Sequence, residues 1–425
     1  MRWDCFVLLS LGERRKKMTG SKRENCLFVI LMWIMVGLFT NSHAQGTLAP
    51  PGTPAPTMKT LDQLEPRIPI KEAPFEIKEP GSYYFTKNLT NASITSPGIT
   101  VNADNVTIDM CGFTLTGLGL RNQSGIYQSD SYHSLRILNG KIMAFQGTGD
   151  IAGIIAVGKS NRIENIQTFS NQIGIASGDS SVIIGCTAVD NLDLGIYAGS
   201  GSVVTQCASR NNADDGIKVG EGSTISGCAV RSNQGNGYDL DKGGVIFNST
   251  ASFNNYNGIM TKECCTITNC STTYNDLSGI SVNRNCNISG CISDYNETNG
   301  ITTGNYSSVT DCESSYNKLD GINMKNGTKV MHNIFCQNGS VNVGGAGIHV
   351  DQGSYCRIQG NQVVENFRGI YIEGAYNITI QNTLAVNTIG ISIDANNHTG
   401  TLSSLPSGSG VGTTDPWANF ILYSP

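Results

Sequence analysis

The sequence predicts an all-β solenoid of about 13 coils with a 21-residue repeat, on three observations. A glycine followed by an apolar residue returns at Gly153, Gly174, Gly195, Gly216, Gly237, Gly258, Gly279, Gly300 and Gly321, always 21 residues apart. Nine residues after each glycine from Gly174 onward stands a β-branched residue, from Ile183, Val204, Ile225 and Ile246 through Ile267, Ile288, Val309 and Val330. Four residues before the glycine stands asparagine, at Asn191, Asn212, Asn233, Asn254, Asn275, Asn296 and Asn317. Short parallel strands joined by tight turns explain all three. Equivalent side chains then stack about 4.8 Å apart, with the β-branched column filling the interior and asparagine amides bonding from coil to coil. Asparagine also tolerates a left-handed bend, and glycine a tight entry into the next strand. An α-solenoid is excluded, because no long apolar stripe of period 3.6 is present.

The elements follow in chain order. Residues 1–44 read as a secretory signal. Arg14, Arg15, Lys16, Lys17, Lys22 and Arg23 are basic, Cys26 to Phe39 is apolar, and Ser42-His43-Ala44 is a small-x-small cleavage site before Gln45. Met18 is an alternative start. An uncleaved anchor is the rival reading, although the apolar stretch is short for a span; after cleavage no stable membrane span remains. Residues 45–58, rich in Pro, Gly and Thr, form a linker. The β-helix then occupies residues 59–399, entering through Glu79-Pro80-Gly81 and the aromatic run Ser82 to Phe85. Residues 400–425 lose the repeat and form a cap, with Leu405, Trp417, Phe420, Ile421 and Tyr423 covering the last rung.

With its Gly-Ile unit and asparagine column, the chain resembles a right-handed parallel β-helix of the pectin-lyase-like superfamily. The opening EPGSYYF and GITVNADNVTIDMCGFTLTG, and the closing Asp415 to Phe420, are similar to the two ends of secreted bacterial β-helix-repeat proteins. The resemblance covers residues 60–425. It implies a fold that carries several chemistries, so activity has to be sought in departures from the repeat.

Composition narrows the class. A net charge of −5 argues against a nucleic-acid binder. Twelve cysteines follow residue 44, and Cys186, Cys207, Cys228, Cys270, Cys291 and Cys312 share one register, with Ser249 in the gap. That pattern favours a stack of small, semi-polar core thiols over a disulfide framework, although pairs one coil apart are within conceivable bridging geometry. The five histidines have no shared register and no ligand spacing, so a zinc site is not expected.

The chemical departures cluster on three adjacent coils. Asp193 and Asp214 share a register, Asp215 adjoins Asp214, and Lys218 stacks under Asp239. Aligned carboxylates raise one another's proton affinity and are what glycosidases use; they also suit Ca²⁺, here through Asp214 and Asp215. Asn191-Leu192-Asp193 followed by Asp214-Asp215-Gly216 resembles the polygalacturonase pattern, but Gly235-Asn236-Gly237 stands where that family has Gly-His-Gly, and no Arg-Ile-Lys follows. Ala213 to Gly216 with Gly237 to Leu240 also resembles calcium-dependent pectate lyases, with Lys218 and Asp239 interchanged relative to that family. The competing account is structural: Asp before Gly is common in turns, and Lys218–Asp239 is a surface ion pair. Arg210 and Arg231 stack one coil apart and suit sugar carboxylates or sulfates. Tyr274, Tyr295 and Tyr316 form a row, either a flat platform for sugar rings or a packed column.

The function this points to is an exported, monomeric β-helix that binds an extended acidic polysaccharide. Cleavage by a lyase or hydrolase route would fall to Asp193, Asp214 and Asp215, and substrate binding to Lys218, Asp239, Arg210 and Arg231. The alternative is a non-enzymatic surface or adhesin-like protein.

Overall fold

The coil that starts at Ile217 shows how 21 residues close one turn. Strand Ile217–Val219 forms the first face, Thr224–Ser226 the second and Ala229–Arg231 the third, before Tyr238–Leu240 begins the next coil. Ile217, Val219, Ile225 and Val230 point inward and are buried, whereas Lys218, Thr224, Ser226 and Arg231 face out. Three-residue strands suffice because each alternates once or twice across its face and gains a neighbour above and below.

This computed structural model describes residues 66–119, 123–149, 151–405 and 413–422. The expected signal at 1–44 and linker at 45–58 lie outside the described residues, as do Tyr423 and the side chain of Leu405. Among the described residues every regular element is a strand. The first face stacks 15 parallel strands, from Phe75–Ile77 to Ile389–Ile393, against the 13 coils expected. The difference arises because irregular coils at both ends, despite longer loops, still contribute a first-face strand. The second and third faces merge into a single sheet, since Arg136–Phe145 and Arg162–Phe169 run across the bend between them. Pairing continues past residue 399: Asn419–Leu422 lies parallel to Thr383–Ala385, and Leu402–Leu405 lies beside it.

The expected vertical register holds. Val204 pairs with Ile225, and Ile225 with Ile246. Asn191 donates both its backbone N–H (3.1 Å) and its Nδ2 (2.8 Å) to Oδ1 of Asn212. The same double bond recurs from Asn212 to Asn233, from Asn233 to Asn254 and from Asn254 to Asn275. These asparagines are buried, so each orphan backbone donor at the bend is satisfied within the core.

Two details differ from expectation. The left-handed residue at this bend is not the ladder asparagine but the one before it: Asn211 (φ 56°), Ser232 (55°), Phe253 (57°) and Tyr274 (56°). Asparagine is selected for its amide, and the strained position accepts even aromatic residues because its side chain points into solvent. The repeating glycine is likewise chosen for close approach. A Cβ on Gly216 would lie 2.7 Å from the carbonyl oxygen of Gly237, and one on Gly237 2.6 Å from that of Gly258.

The cysteines serve the same accounting at the other bends. All 12 described cysteines are free thiols. Cys207 N–H is directed at Cys228 Sγ (3.4 Å), Cys228 N–H at Ser249 Oγ (3.2 Å), and Cys312 N–H at Asn333 Oδ1 (2.8 Å). Cysteine, serine and asparagine are therefore interchangeable acceptors in one column, which runs on through Asn361 and Asn382 to Asn419. Ser181, Ser202 and Ser223 do the same between the first and second faces.

Candidate functional site

On the first face each strand from Ile196–Ala198 onward carries one outward residue flanked by two that point inward. The result is a stripe one side chain wide: Tyr197, Lys218, Asp239, Met260, Ser281, Thr302, Asn323, His349, Tyr371 and Ser392, paired in register. Chemistry on this face has to use that stripe or the bends on either side of it.

The acidic cluster lies at one end. Lys218 Nζ is 2.6 Å from Asp239 Oδ2 and 3.8 Å from Asp215 Oδ2. Asp215 is buried, and its Oδ1 accepts the backbone N–H (2.6 Å) and Nδ2 (3.0 Å) of Asn236. Burial raises its pKa, partly opposed by the Asn236 bonds and reinforced by Asp214 and Asp239. Asp193 is raised by burial and then by Asp214. Asp214 is exposed. The structure thus brings Asp215, Lys218 and Asp239 together, with Asp193 and Asp214 beside them at the bend. Arg210 and Arg231 are elsewhere, on the third face. Among the described residues no group of three or more His, Cys, Asp or Glu is placed to hold a metal ion. Calcium at Asp214 and Asp215 would need most of its six to eight oxygens from other sources.

Asp215 also opens a second ladder, absent from the sequence reading. Its carboxylate accepts from Asn236, Asn236 Oδ1 from Asn257, and Asn257 Oδ1 from Ser278 N–H; farther on, Asn299 accepts from Asp320 N–H and Asp320 from Ala346 N–H. Here each side chain accepts from the following coil, the reverse of the main asparagine column. The sequence signal is a polar residue immediately before the repeating glycine.

The far end of this ladder enters the most concentrated polar constellation on the first face. Asp320 Oδ2 lies 2.9 Å from His349 Nδ1 and accepts from Asn323 Nδ2 at 3.1 Å. His349 Nε2 lies 3.4 Å from Glu373 Oε2, and Tyr371 donates its hydroxyl to Glu373 Oε1. The Tyr371 ring stacks on His349 with centroids 4.8 Å apart, and the Arg368 guanidinium sits 4.3 Å from the Tyr371 centroid. Burial opposes charge on His349, yet Asp320 and Glu373 outweigh it and raise its pKa. Glu373 raises that of Tyr371. His349 stands two residues after Gly347, in the register of Lys218 and Asp239. The step from Gly321 to Gly347 is 26 residues, so a fixed period of 21 does not bring His349 into that register.

The raised His349 pKa has a stability consequence with a definite sign. Its contribution is fully present below the unfolded value near 6.5 and is lost as pH rises through the folded value. The stability difference between the wild type and His349→Gln is therefore expected to be largest near pH 6 and to shrink by pH 8. Urea unfolding at both pH values measures it.

The tyrosine row is a packed column. Phe253, Tyr274, Tyr295 and Tyr316 stack face to face with centroids 5.0, 5.0 and 4.7 Å apart, and Arg231 covers Phe253 at 4.7 Å. Within the column each ring face is occupied by its neighbour, so the column presents edges and hydroxyls rather than a flat platform.

The comparisons with known proteins agree on architecture. Residues 278–405 match the family model described as a right handed beta helix region. The described residues wind as a parallel β-helix, and the matched stretch is of the right-handed kind. No curated protein sequence matches it. Among solved structures, the β-helix is similar to the A-module of mannuronan C-5 epimerase AlgE6 of Azotobacter vinelandii (12% identity, 81% of this chain and 91% of that one, TM-score 0.41). The AlgE4 A-module from the same organism aligns at 13% identity over 75% of this chain and 90% of that one, with TM-score 0.45. Pectate lyase Pel9A aligns at 13% over 78% and 79%, with TM-score 0.34. At these identities the likeness concerns the fold alone.

Proposed function

We propose that this β-helix binds an extended acidic polysaccharide along its first face and acts on it at His349 and Tyr371. The observation that carries the reading is His349 held between Asp320 and Glu373 and stacked on Tyr371, whose outer face Arg368 covers. A continuous outward stripe on a ridge of 15 strands suits a polymer better than a small metabolite.

The chemistry follows from the groups present. Arg368 offers a guanidinium for a uronate carboxylate. Charge neutralised there acidifies the adjacent carbon. Asp320 fixes the imidazole through Nδ1, leaving Nε2 as the base that removes the proton from that carbon. The resulting electron pair forms a C=C bond and expels the glycosidic oxygen two atoms away. That oxygen takes the Tyr371 phenol proton. Glu373, partly exposed, has to swing aside as the sugar enters. Activity then rises with pH through the raised pKa of His349.

Asp193, Asp214 and Asp215 remain part of the proposal as a second polar patch on the same polymer track. Unchanged binding and turnover in an Asp214→Ala, Asp215→Ala double variant would remove them. Residues 1–44 are taken as the export signal, which puts the protein outside the cytoplasm.

Incubation with a panel of uronic-acid polymers tests the reading, with ultraviolet absorbance of unsaturated products and reducing ends as readouts. His349→Gln and Tyr371→Phe are each expected to lower turnover by about 100-fold or more, with affinity within roughly threefold. Binding without any product would favour the non-enzymatic reading, which the pairing of Lys218 with Asp239 and Asp215 also suits.

A further inference from the structure

The third face carries a groove that the first-face reading does not use. It encloses about 330 Å³, lined by Lys141, Phe169, Thr187, Val189, Asp190 and Arg210 among others. Lys141, Gln167 and Thr187 form one outward column, and Phe169, Val189 and Arg210 the next, across successive coils. Thr187 and Val189 are short, so the space lies between the long side chains of Lys141 and Phe169 at one end and Arg210 at the other. Lys141 Nζ sits 5.3 Å from the Phe169 ring centroid.

Charge in the groove is out of balance. The ion pairs of the described residues take up Lys218, Lys262, Lys318 and Lys325, but neither Lys141 nor Arg210 is among them. Arg231 is one coil beyond Arg210 in register, and its guanidinium lies on Phe253. Lys141 and Arg210 thus share the groove with one carboxylate, Asp190, and Arg231 extends the cationic row one coil further, on a chain whose net charge is −5. From Lys141 to Arg231 is four coils, roughly 19 Å at about 4.8 Å per coil.

We propose that this groove is a second glycan site, separate from His349, that takes a short run of anionic sugars with carboxylate or sulfate groups. Arg210 offers a planar fork for an oxyanion and Lys141 a point charge. The Phe169 ring offers an apolar edge to sugar C–H groups, and Gln167, Thr187 and Asn211 offer hydrogen bonds to hydroxyls. The inference does not rest on the first-face reaction.

Calorimetry with hexasaccharides tests it: one of uronates, one sulfated and one neutral, each against the full chain with His349→Gln as background, so that turnover does not intervene. One or both anionic ligands are expected to bind and the neutral one not. Lys141→Ala with Arg210→Ala should weaken the groove's binding isotherm at least tenfold, leaving the first-face isotherm in place and the melting temperature unchanged, because both side chains reach solvent. Arg210→Lys separates fork recognition from charge and should lose part of the affinity. The uronate and sulfated arms tell which anion is preferred. Unchanged affinity in the double variant, equal binding of the neutral sugar, or equal binding of a single-stranded oligonucleotide would overturn the proposal. Because the first-face residues are untouched by the double variant, failure here leaves the His349 reading standing.

Discussion

Asn254→Leu is expected to lower stability by about 2–5 kcal/mol, although leucine keeps the same branched skeleton of four side-chain heavy atoms. Asn254 is fully buried, and its Oδ1 accepts both the backbone N–H and the Nδ2 of Asn233. Leucine removes that acceptor. The Asn233 backbone donor is then orphaned in the core, while its Nδ2 keeps only the longer bond of 3.3 Å to Ser209 O. An unsatisfied buried group forfeits its full desolvation cost, about 1–3 kcal/mol each. Damage should be local, because each coil contacts only its neighbours. Hydrogen exchange is therefore expected to speed up at Asn233 and in the adjoining coils before it does so at Ile108 or Ile137. Asn254→Ser should recover part of the loss, as serine already accepts backbone N–H groups at Ser202 and Ser223. A loss below about 1 kcal/mol for the leucine variant would show that the amide column is dispensable.

Gly258→Val is expected to cost more than 3 kcal/mol and to split the stack at that coil. A Cβ there meets Gly279 O at 2.6 Å, Asn275 Nδ2 at 2.8 Å and Thr272 Cβ at 3.0 Å. The first of these is backbone and cannot turn aside, so the two first-face strands must separate, which overpacking of flexible side chains alone would not require. Gly222 is the control. Its φ is +67°, and nothing lies within 4 Å of its Cβ position. Gly222→Ala should therefore cost only the left-handed backbone strain, about 1–2 kcal/mol. Urea titration of the two variants separates crowding from conformation. Equal losses would mean that both glycines are kept for backbone freedom.

The fold was legible because the repeat writes each contact many times. Ile183, Val204, Ile225 and Ile246 occupy one column in the sequence and one column in space, and the asparagine amides bond along theirs. The roles of individual positions were less legible. Asn211 and Asn212 are adjacent and chemically identical, yet only the first is left-handed and only the second is buried. Spacing alone cannot assign the two jobs. Of the two candidate clusters, Asp214 to Asp239 lies where the period is strict, and the one at His349 where an insertion breaks it. Counting from Gly347 rather than from Gly321 puts His349 in the outward column and Asp320 one coil before it. Their meeting depends on the path of the chain between Gly321 and Gly347, which a fixed period does not describe. Arg210 and Lys218 are eight residues apart in sequence, but a bend turns them onto different faces.

The ladders have one more consequence, for how such a chain can change length. Every buried donor at a bend finds its acceptor at the same place in the neighbouring turn. Excision of residues 238–258 would join Gly237 to Ile259 and return each amide to an equivalent partner. Excision of 20 or 22 would set the amides at the junction against the wrong atoms. Within the strict repeat the molecule behaves as a ruler cut in whole notches, and extra residues enter only where they loop out between the columns, as between Gly321 and Gly347.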